Sequence, residues 1–317
     1  MPPKDQNVRS SPLSGLHQPL LRRIFVALLL DILAFTIILP LFPRLIYAYE
    51  IQDNSVLLRW FLSLTHRFKA LFTEPTAGSN TGVSTLGADT VLVGGLLGSL
   101  FSFLQFLISP FIGRCADKWG RRRVLLVCMV GNIVSTVVWL MSTRFEWFLL
   151  SRVIGGLSEG NVQLSQAMIA DITTETQRSR GMAWVGIAFA TGFTVGPPLG
   201  AYFATWEYYL PSWIAEYVGG ISLEQYLAPS PWAAGLALVL LCAEYIFIYR
   251  FIPETSALSK SNSQASDRIR TQPIAEPAPA GVLRGLRDLR FIHWGYLLVF
   301  AGMEFTLPFL TFEKFKF

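Results

Sequence analysis

Charge is what this sequence has least of. Only 15% of its 317 residues are Asp, Glu, Lys or Arg, against roughly 25% in an ordinary soluble domain. A soluble chain with a mean hydropathy of +0.45 would have to hide most of its surface, whereas in a bilayer lipid-facing positions stay apolar. Cysteine is scarce too. Cys115, Cys128 and Cys242 form no C-x-x-C pair and no even-numbered framework, which excludes a zinc ribbon and a disulfide scaffold. All three lie in or beside apolar stretches and read as packing residues. There is no Asn-x-Ser/Thr sequon. No nucleophile–base arrangement, metal-spaced cluster or phosphate-binding loop is present either, so the sequence predicts neither an enzyme nor a resident cofactor or metal. The net charge of +5 is modest. Its basic residues sit in short runs beside apolar segments, a distribution that suits membrane orientation and not nucleic-acid binding.

What the sequence has instead is long apolar runs. A helix crossing the hydrocarbon core needs about 20 mostly apolar residues, and the pattern predicts spans over Leu21–Phe42, Thr90–Ile112, Val124–Met141, Glu146–Ala170, Gly181–Ala204, Pro231–Ile252 and Phe291–Leu310. The first follows Arg22 and Arg23 like a signal peptide, but it exceeds the roughly 7–15 residues of a signal core and no small-residue cleavage site follows. The fold expected is an all-α integral membrane protein. Residues 1–20 form a tail, 21–252 a six-span bundle, 253–290 a linker rich in Ser, Gln, Ala and Pro, and 291–317 one further span. Lysine and arginine cluster in the tail (Lys4, Arg9), between the second and third spans, between the fourth and fifth (Arg178, Arg180), and in the linker. These four regions share one side if every span crosses, which puts the N-terminus in the cytoplasm. That asymmetry argues against a seven-helix receptor. On the other side, Trp206, Tyr208, Tyr209, Trp213 and Tyr217 read as an interfacial aromatic belt. Leu57, Phe61, Leu64, Phe68 and Leu71 read as the apolar stripe of an amphipathic surface helix.

Between the second and third spans the chain reads Gly113-Arg-Cys-Ala-Asp117-Lys-Trp-Gly120-Arg121-Arg122-Arg123. Two glycines allow a tight reversal, and Asp117 is placed near a helix N-terminus or an arginine. The spacing Gly-x-x-x-Asp-x-x-Gly-Arg-x-Arg resembles the signature loop of the major facilitator superfamily. The fourth span carries Arg152 and Gly156, similar to that family's R-x-x-x-G motif, with Glu159 and Gln163 on the same helical stripe. It ends at Asp171, which the resemblance would pair with Arg121. In the fifth span, Gly192, Gly196, Pro197 and Gly200 resemble the antiporter motif G-x-x-x-G-P-x-x-G, physically a small-residue packing face with a proline kink. Pro253-Glu254-Thr255 resembles a recurrent ending of the sixth span. Asp31 followed by Pro40 and Pro43 looks like the tetracycline-transporter-like branch of drug:proton antiporters.

The span arithmetic carries its own inference. Asp31 lies roughly 12–15 Å from the cytoplasmic end of its helix, and Glu159 enters from the other side to roughly 18–20 Å. Glu244 and Glu304 reach similar levels, and Arg152 sits nearer the outer face. Ionisable groups at such depth are costly unless paired, protonated or hydrated, so they predict an internal polar cavity. Asp31 is expected to act as a proton-coupling acid with Arg152 as its charge partner. Glu159 either shares that role or faces the cargo, and Glu244, Glu304 and Gln163 line the cavity. Protons are the coupling ion.

The resemblance implies two six-helix bundles around a central site. The chain ends after one bundle, a linker and one helix, so it is expected to be a C-terminally truncated member. The function expected is secondary transport of a small organic or drug-like molecule, by alternating access if a second bundle is supplied. The partners expected are the lipid bilayer, that molecule, and a second half-transporter or full-length relative. The other reading is a non-transporting membrane protein that assembles with a full-length transporter. The membrane is either the plasma membrane or an organelle membrane.

Overall fold

The structure, a computed structural model, describes residues 14–52, 55–72, 85–204 and 231–255, with isolated positions between 288 and 295. Every regular element among the described residues is helical. In chain order these are α1 (Ser14–Ile37), a 3-10 turn (Leu39–Leu41), α2 (Phe42–Gln52), α3 (Val56–Phe72) and α4 (Thr85–Trp119). They continue with α5 (Arg121–Leu140), α6 (Phe145–Ser158), α7 (Asn161–Ile172), α8 (Glu175–Ala204) and α9 (Pro231–Phe251). Among the described residues five helices are long and apolar enough to cross a membrane; they are α1, α4, α5, α8 and α9. The fourth expected span is the pair α6–α7. Most of the seventh expected span, with Glu304, most of the linker and the aromatic belt lie outside the described residues.

Proline explains where α1 stops. Pro40 sits in the 3-10 turn; it has no N–H to continue the ladder and disfavours helical geometry in the residue before it. Pro43 falls in the first turn of α2, where its missing N–H costs nothing. Unlike a soluble protein, this one shows large apolar side chains on its exterior and several polar ones in its interior. Phe103, Phe106, Phe111, Val127, Val134 and Ile246 are exposed, while Asp31, Thr36, Asn132, Arg152, Asn161 and Glu244 are buried.

α1 runs through the middle of the bundle and packs chiefly on α8 and α9; α5 packs on α6 and α9, and α4 on α6. The α1–α8 contact is made by the glycines. A Cβ at Gly192 would strike Ile32, at Gly196 the Thr36 hydroxyl, and at Gly200 the Ile37 carbonyl. Close backbone approach of this kind is what small-residue spacing supplies where lipid offers no hydrophobic drive. The Thr36 hydroxyl closes the contact, lying 2.7 Å from the Ile32 carbonyl oxygen and 3.1 Å from that of Gly192. α8 is a continuous helix through Pro197 and Pro198.

Three expectations need correction. The stretch from Gly113 is no loop: α4 continues to Trp119 and α5 begins at Arg121, so the chain reverses at Gly120 alone, with φ +102°. Gly113 sits inside α4 with open space where a Cβ would stand. The stripe on α3 is rotated: Leu58, Phe61 and Thr65 are buried, whereas Leu57 and Leu64 are exposed. Phe61 packs on Phe145, ring centroids 5.5 Å apart, so tertiary contact with α6 chooses the buried face. The fourth span is broken between Ser158 and Asn161. Glu159 (φ −76°, ψ 93°) and Gly160 (φ −133°, ψ 1°) leave helical geometry. A Cβ at Gly160 would stand 2.9 Å from Ile112 Cγ2 and 3.3 Å from Cys128 Sγ, so α4 and α5 close on the break and any larger residue would have to push Ile112 aside.

Candidate functional site

The broken span places the site. Unwinding at Glu159 turns its carboxylate into the bundle, where Asn132 of α5 donates to Glu159 Oε2 at 3.0 Å. The helix restarts at Asn161, whose amide donates to Asp31 Oδ1 of α1 at 2.8 Å. The same amide nitrogen lies 3.1 Å from Met129 Sδ. Asp31 and Asn161 are both buried. Arg152, two turns earlier on α6, is 7% exposed. Its guanidinium carbon lies 5.7 Å from the Trp139 ring centre and 5.5 Å from that of Phe148. Its Nε is 3.4 Å from Ser151 Oγ.

These groups surround one cleft with a volume of about 50 Å³. Asp31, Ala34, Phe35 and Ile38 form its α1 wall, and Asn132, Ser135, Thr136 and Trp139 its α5 wall. Arg152, Gly155 and Glu159 enter from α6 and the break, Phe101 from α4, and Ala237 and Leu241 from α9. Glu244 lies on the same buried face of α9, is 1% exposed, and its Oε2 has no hydrogen-bond partner. Asn132 Oδ1, Asn161 Oδ1 and Trp139 Nε1 are likewise buried without partners. Buried polar atoms are normally satisfied, so the concentration of orphans here marks a place built to take something more.

The expected residues therefore divide. Asp31, Arg152 and Glu159 share the cleft, and Glu244 lies beside it. Asp31 and Arg152 are not ion-paired, however: Asp31 is held by Asn161, and Arg152 by aromatic rings. Gln163 is elsewhere. Its Oε1 accepts from Ser109 of α4, and it lines a second hollow of about 380 Å³ with Ser102, Gln105, Phe106 and Gly160. The stripe Arg152–Gly156–Glu159–Gln163 assumed an unbroken helix; the break turns its last member onto the other side of the span. Asn132, Asn161 and Trp139 were missed. Their signal was present as two amides inside apolar runs, one beside the glycine that breaks the span.

At the end of α4 the geometry is different in kind. Arg121 forms an ion pair with Asp171 at the end of α7 and lies 3.3 Å from Asp117, four residues back. Its backbone N–H donates to Glu254 Oε1 at 2.9 Å. That carboxylate, carried by the chain leaving α9, serves the otherwise uncapped N-terminus of α5. It also stands 2.5 Å from where a Cβ on Gly120 would be. Arg122 donates to the Tyr249 carbonyl at 2.5 Å and lies over the Tyr249 ring. Arg23 donates to the Phe251 carbonyl at 3.0 Å. Basic residues thus tie α1 and α5 to the orphan carbonyls at the end of α9.

A family model described as Major Facilitator Superfamily matches residues 24–317. The human major facilitator superfamily domain-containing protein 10 is 35% identical over 334 residues, covering 97% of this chain and 65% of that protein. The crystal structure of the human organic anion transporter MFSD10 (TETRAN) superposes with a TM-score of 0.69 at 34% identity, over 95% of this chain and 66% of that one. Multidrug resistance protein 2 of Bacillus subtilis is 32% identical over 129 residues, 40% of this chain and 32% of that protein. The chain spans about 60–65% of the length of the first curated relatives it matches.

Proposed function

From a chain that belongs to the Major Facilitator Superfamily and is an integral, multi-pass membrane protein of all-α fold, we propose proton-coupled secondary transport of a small organic molecule, with Asp31 as the coupling acid. The observation that carries this is the cleft in which Asp31 and Glu159 each hold a single amide partner beside an arginine that has no ion pair among the described residues. Carboxyls at membrane depth are costly to keep charged, and a carboxyl held by one neutral amide can gain or lose its proton without dismantling an ion pair. The relatives named as an organic anion transporter and a multidrug resistance protein favour organic, drug-like cargo, and the former favours an anion. The position of Asp31 before Pro40 and Pro43 keeps the resemblance to tetracycline-transporter-like antiporters. The N-terminus is cytoplasmic, following the lysine and arginine bias. Alternating access needs a second bundle facing this one.

Two couplings follow from different features. The glycine motif on α8 favours antiport. The unpaired charge of Arg152 favours movement of an anion together with protons. Flux of a fluorescent organic anion into proteoliposomes under an imposed pH gradient tests the proposal and separates the two by sign. Asp31→Asn is expected to abolish the gradient-driven component while the protein remains in the membrane; unchanged gradient-driven flux in that variant overturns the assignment.

A further inference from the structure

Arg152 is a buried cation that no described residue neutralises at contact distance. Its only hydrogen bond among the described residues is the long one from Nε to Ser151 Oγ. Among the described residues no carboxylate lies within ion-pair distance of it. A guanidinium is all donor, with five N–H groups in one plane and no acceptor. Here the neighbours are the Trp139 and Phe148 rings, so the terminal nitrogens keep their donors unspent. On the same cleft wall the indole Nε1 of Trp139, 2% exposed, is a second donor without a partner. Truncating one partner of a buried pair is strongly destabilising because a charge is left uncompensated. A buried arginine built this way is therefore a pair waiting for its other half.

We propose that Arg152 and the Trp139 indole N–H form a seat for a monovalent anionic group, a carboxylate or a halide, entering the cleft between α5 and α6. The 50 Å³ of water-sized room suits such a head group and not a whole organic molecule. The remainder of a larger anion would extend into the wider cleft, against Phe35, Phe101 and Ile38. The proposal deepens the reading of this cleft as the coupling site and rests on it.

The seat is tied to protons by charge count. Around it, Asp31 from α1 and Glu159 at the break line the cleft, and Glu244 from α9 lies beside it. α2 adds the Tyr49 hydroxyl, which lies 2.6 Å from the Ser142 carbonyl oxygen; α5 adds the thiol of Cys128; α4 and α7 add no charge, only Phe101 and Asn161. Three ionised carboxylates and one guanidinium sum to −2 and repel an anion. With the three protonated, the sum is +1 and an anion completes it. Anion and protons therefore load together, and affinity falls as the pH rises.

The test is calorimetric titration of the full chain in lipid nanodiscs with benzoate, and separately with chloride, at about pH 5.5 and about pH 8, on either side of neutrality. Benzoate is expected to bind at least about tenfold tighter at the lower pH, and Arg152→Gln to weaken it by about tenfold or more. Trp139→Phe keeps the ring and loses the donor, and is expected to weaken binding by about threefold to tenfold. It carries the test if Arg152→Gln does not fold. Benzoate affinity unchanged in both variants, or rising with pH, overturns the seat. Competition by chloride assigns the seat to any small anion, and its absence to the organic carboxylate; either supports it. Benzoate binding without gradient-driven flux would sink the transport reading and leave the seat. Flux lost in Asp31→Asn with no benzoate binding would sink the seat and leave the transport reading.

Discussion

The cleft between α1, α5 and α6 and the turn at Gly120 both gather charge, and they treat it in opposite ways. At the turn the charges meet counterparts, with only Arg122 Nε among their described atoms buried and left over: Arg121 meets Asp171 and Asp117, Glu254 meets the N-terminus of α5, and Arg122 and Arg23 meet the carbonyls ending α9. In the cleft, Asp31 and Glu159 have one amide each, Glu244 has an orphan oxygen, and Arg152 has no anion. Matched charges hold elements together. Unmatched ones keep a capacity to bind or titrate, and they are maintained at the expense of stability. The difference assigns bracing to the turn and exchange to the cleft.

That contrast predicts different consequences for substitutions in the two regions. Gly120→Val should give the largest loss of stability, because it combines a positive φ with a clash against the Glu254 carboxylate. Backbone strain alone costs about 1–3 kcal/mol, so a thermal melt of the purified protein should drop by several degrees. Benzoate affinity in the folded fraction should stay as in the native chain. A melt unchanged in Gly120→Val would show that the turn braces nothing. Asp171→Asn comes next. It removes the charge that holds Arg121, with Asp171 largely buried and Arg121 one-fifth exposed, at about 1–3 kcal/mol for a charge-assisted hydrogen bond. Double-mutant comparison with Arg121→Gln isolates the pair: if the two losses simply add, the ion pair contributes nothing. Glu244→Gln should cost least. Replacing a buried, under-satisfied carboxylate is often neutral or stabilising, so the melting temperature should hold or rise, while the pH dependence of benzoate binding becomes shallower. A fall of more than about 1 kcal/mol in that variant would mean that Glu244 is structurally paired, against the contrast drawn here.

Much of this was legible beforehand because membrane physics writes itself into sequence. The five long helices follow from apolar length alone, and Pro40 marks the end of α1. The pairing of Arg121 with Asp171 could be anticipated from the resemblance. The glycines of α8 read correctly as a packing face, although the sequence did not name Ile32, Thr36 and Ile37 as what they meet. The break at Glu159–Gly160 was not legible, since Arg152, Gly156, Glu159 and Gln163 make a faultless stripe on an unbroken helix. Only the pressure of Ile112 and Cys128 on Gly160 shows why the helix gives way there. The same break explains the misplaced Gln163. Asp31 and Arg152 were expected to meet because both are charged and similarly deep; their actual neighbours depend on which way each helix is rotated.

By itself, then, the sequence determined that this protein lives in a bilayer, where its helices cross, and which family it resembles. Those features depend on local composition and spacing, which the solvent reads residue by residue. Tertiary structure alone decided that Asn161 holds Asp31, that Gln163 lies on the far side of the break, and that Arg152 faces two rings and no carboxylate. Each of these depends on the rotation of one helix against another, set by packing among α1, α4, α5 and α6, and no periodicity within a single segment encodes it.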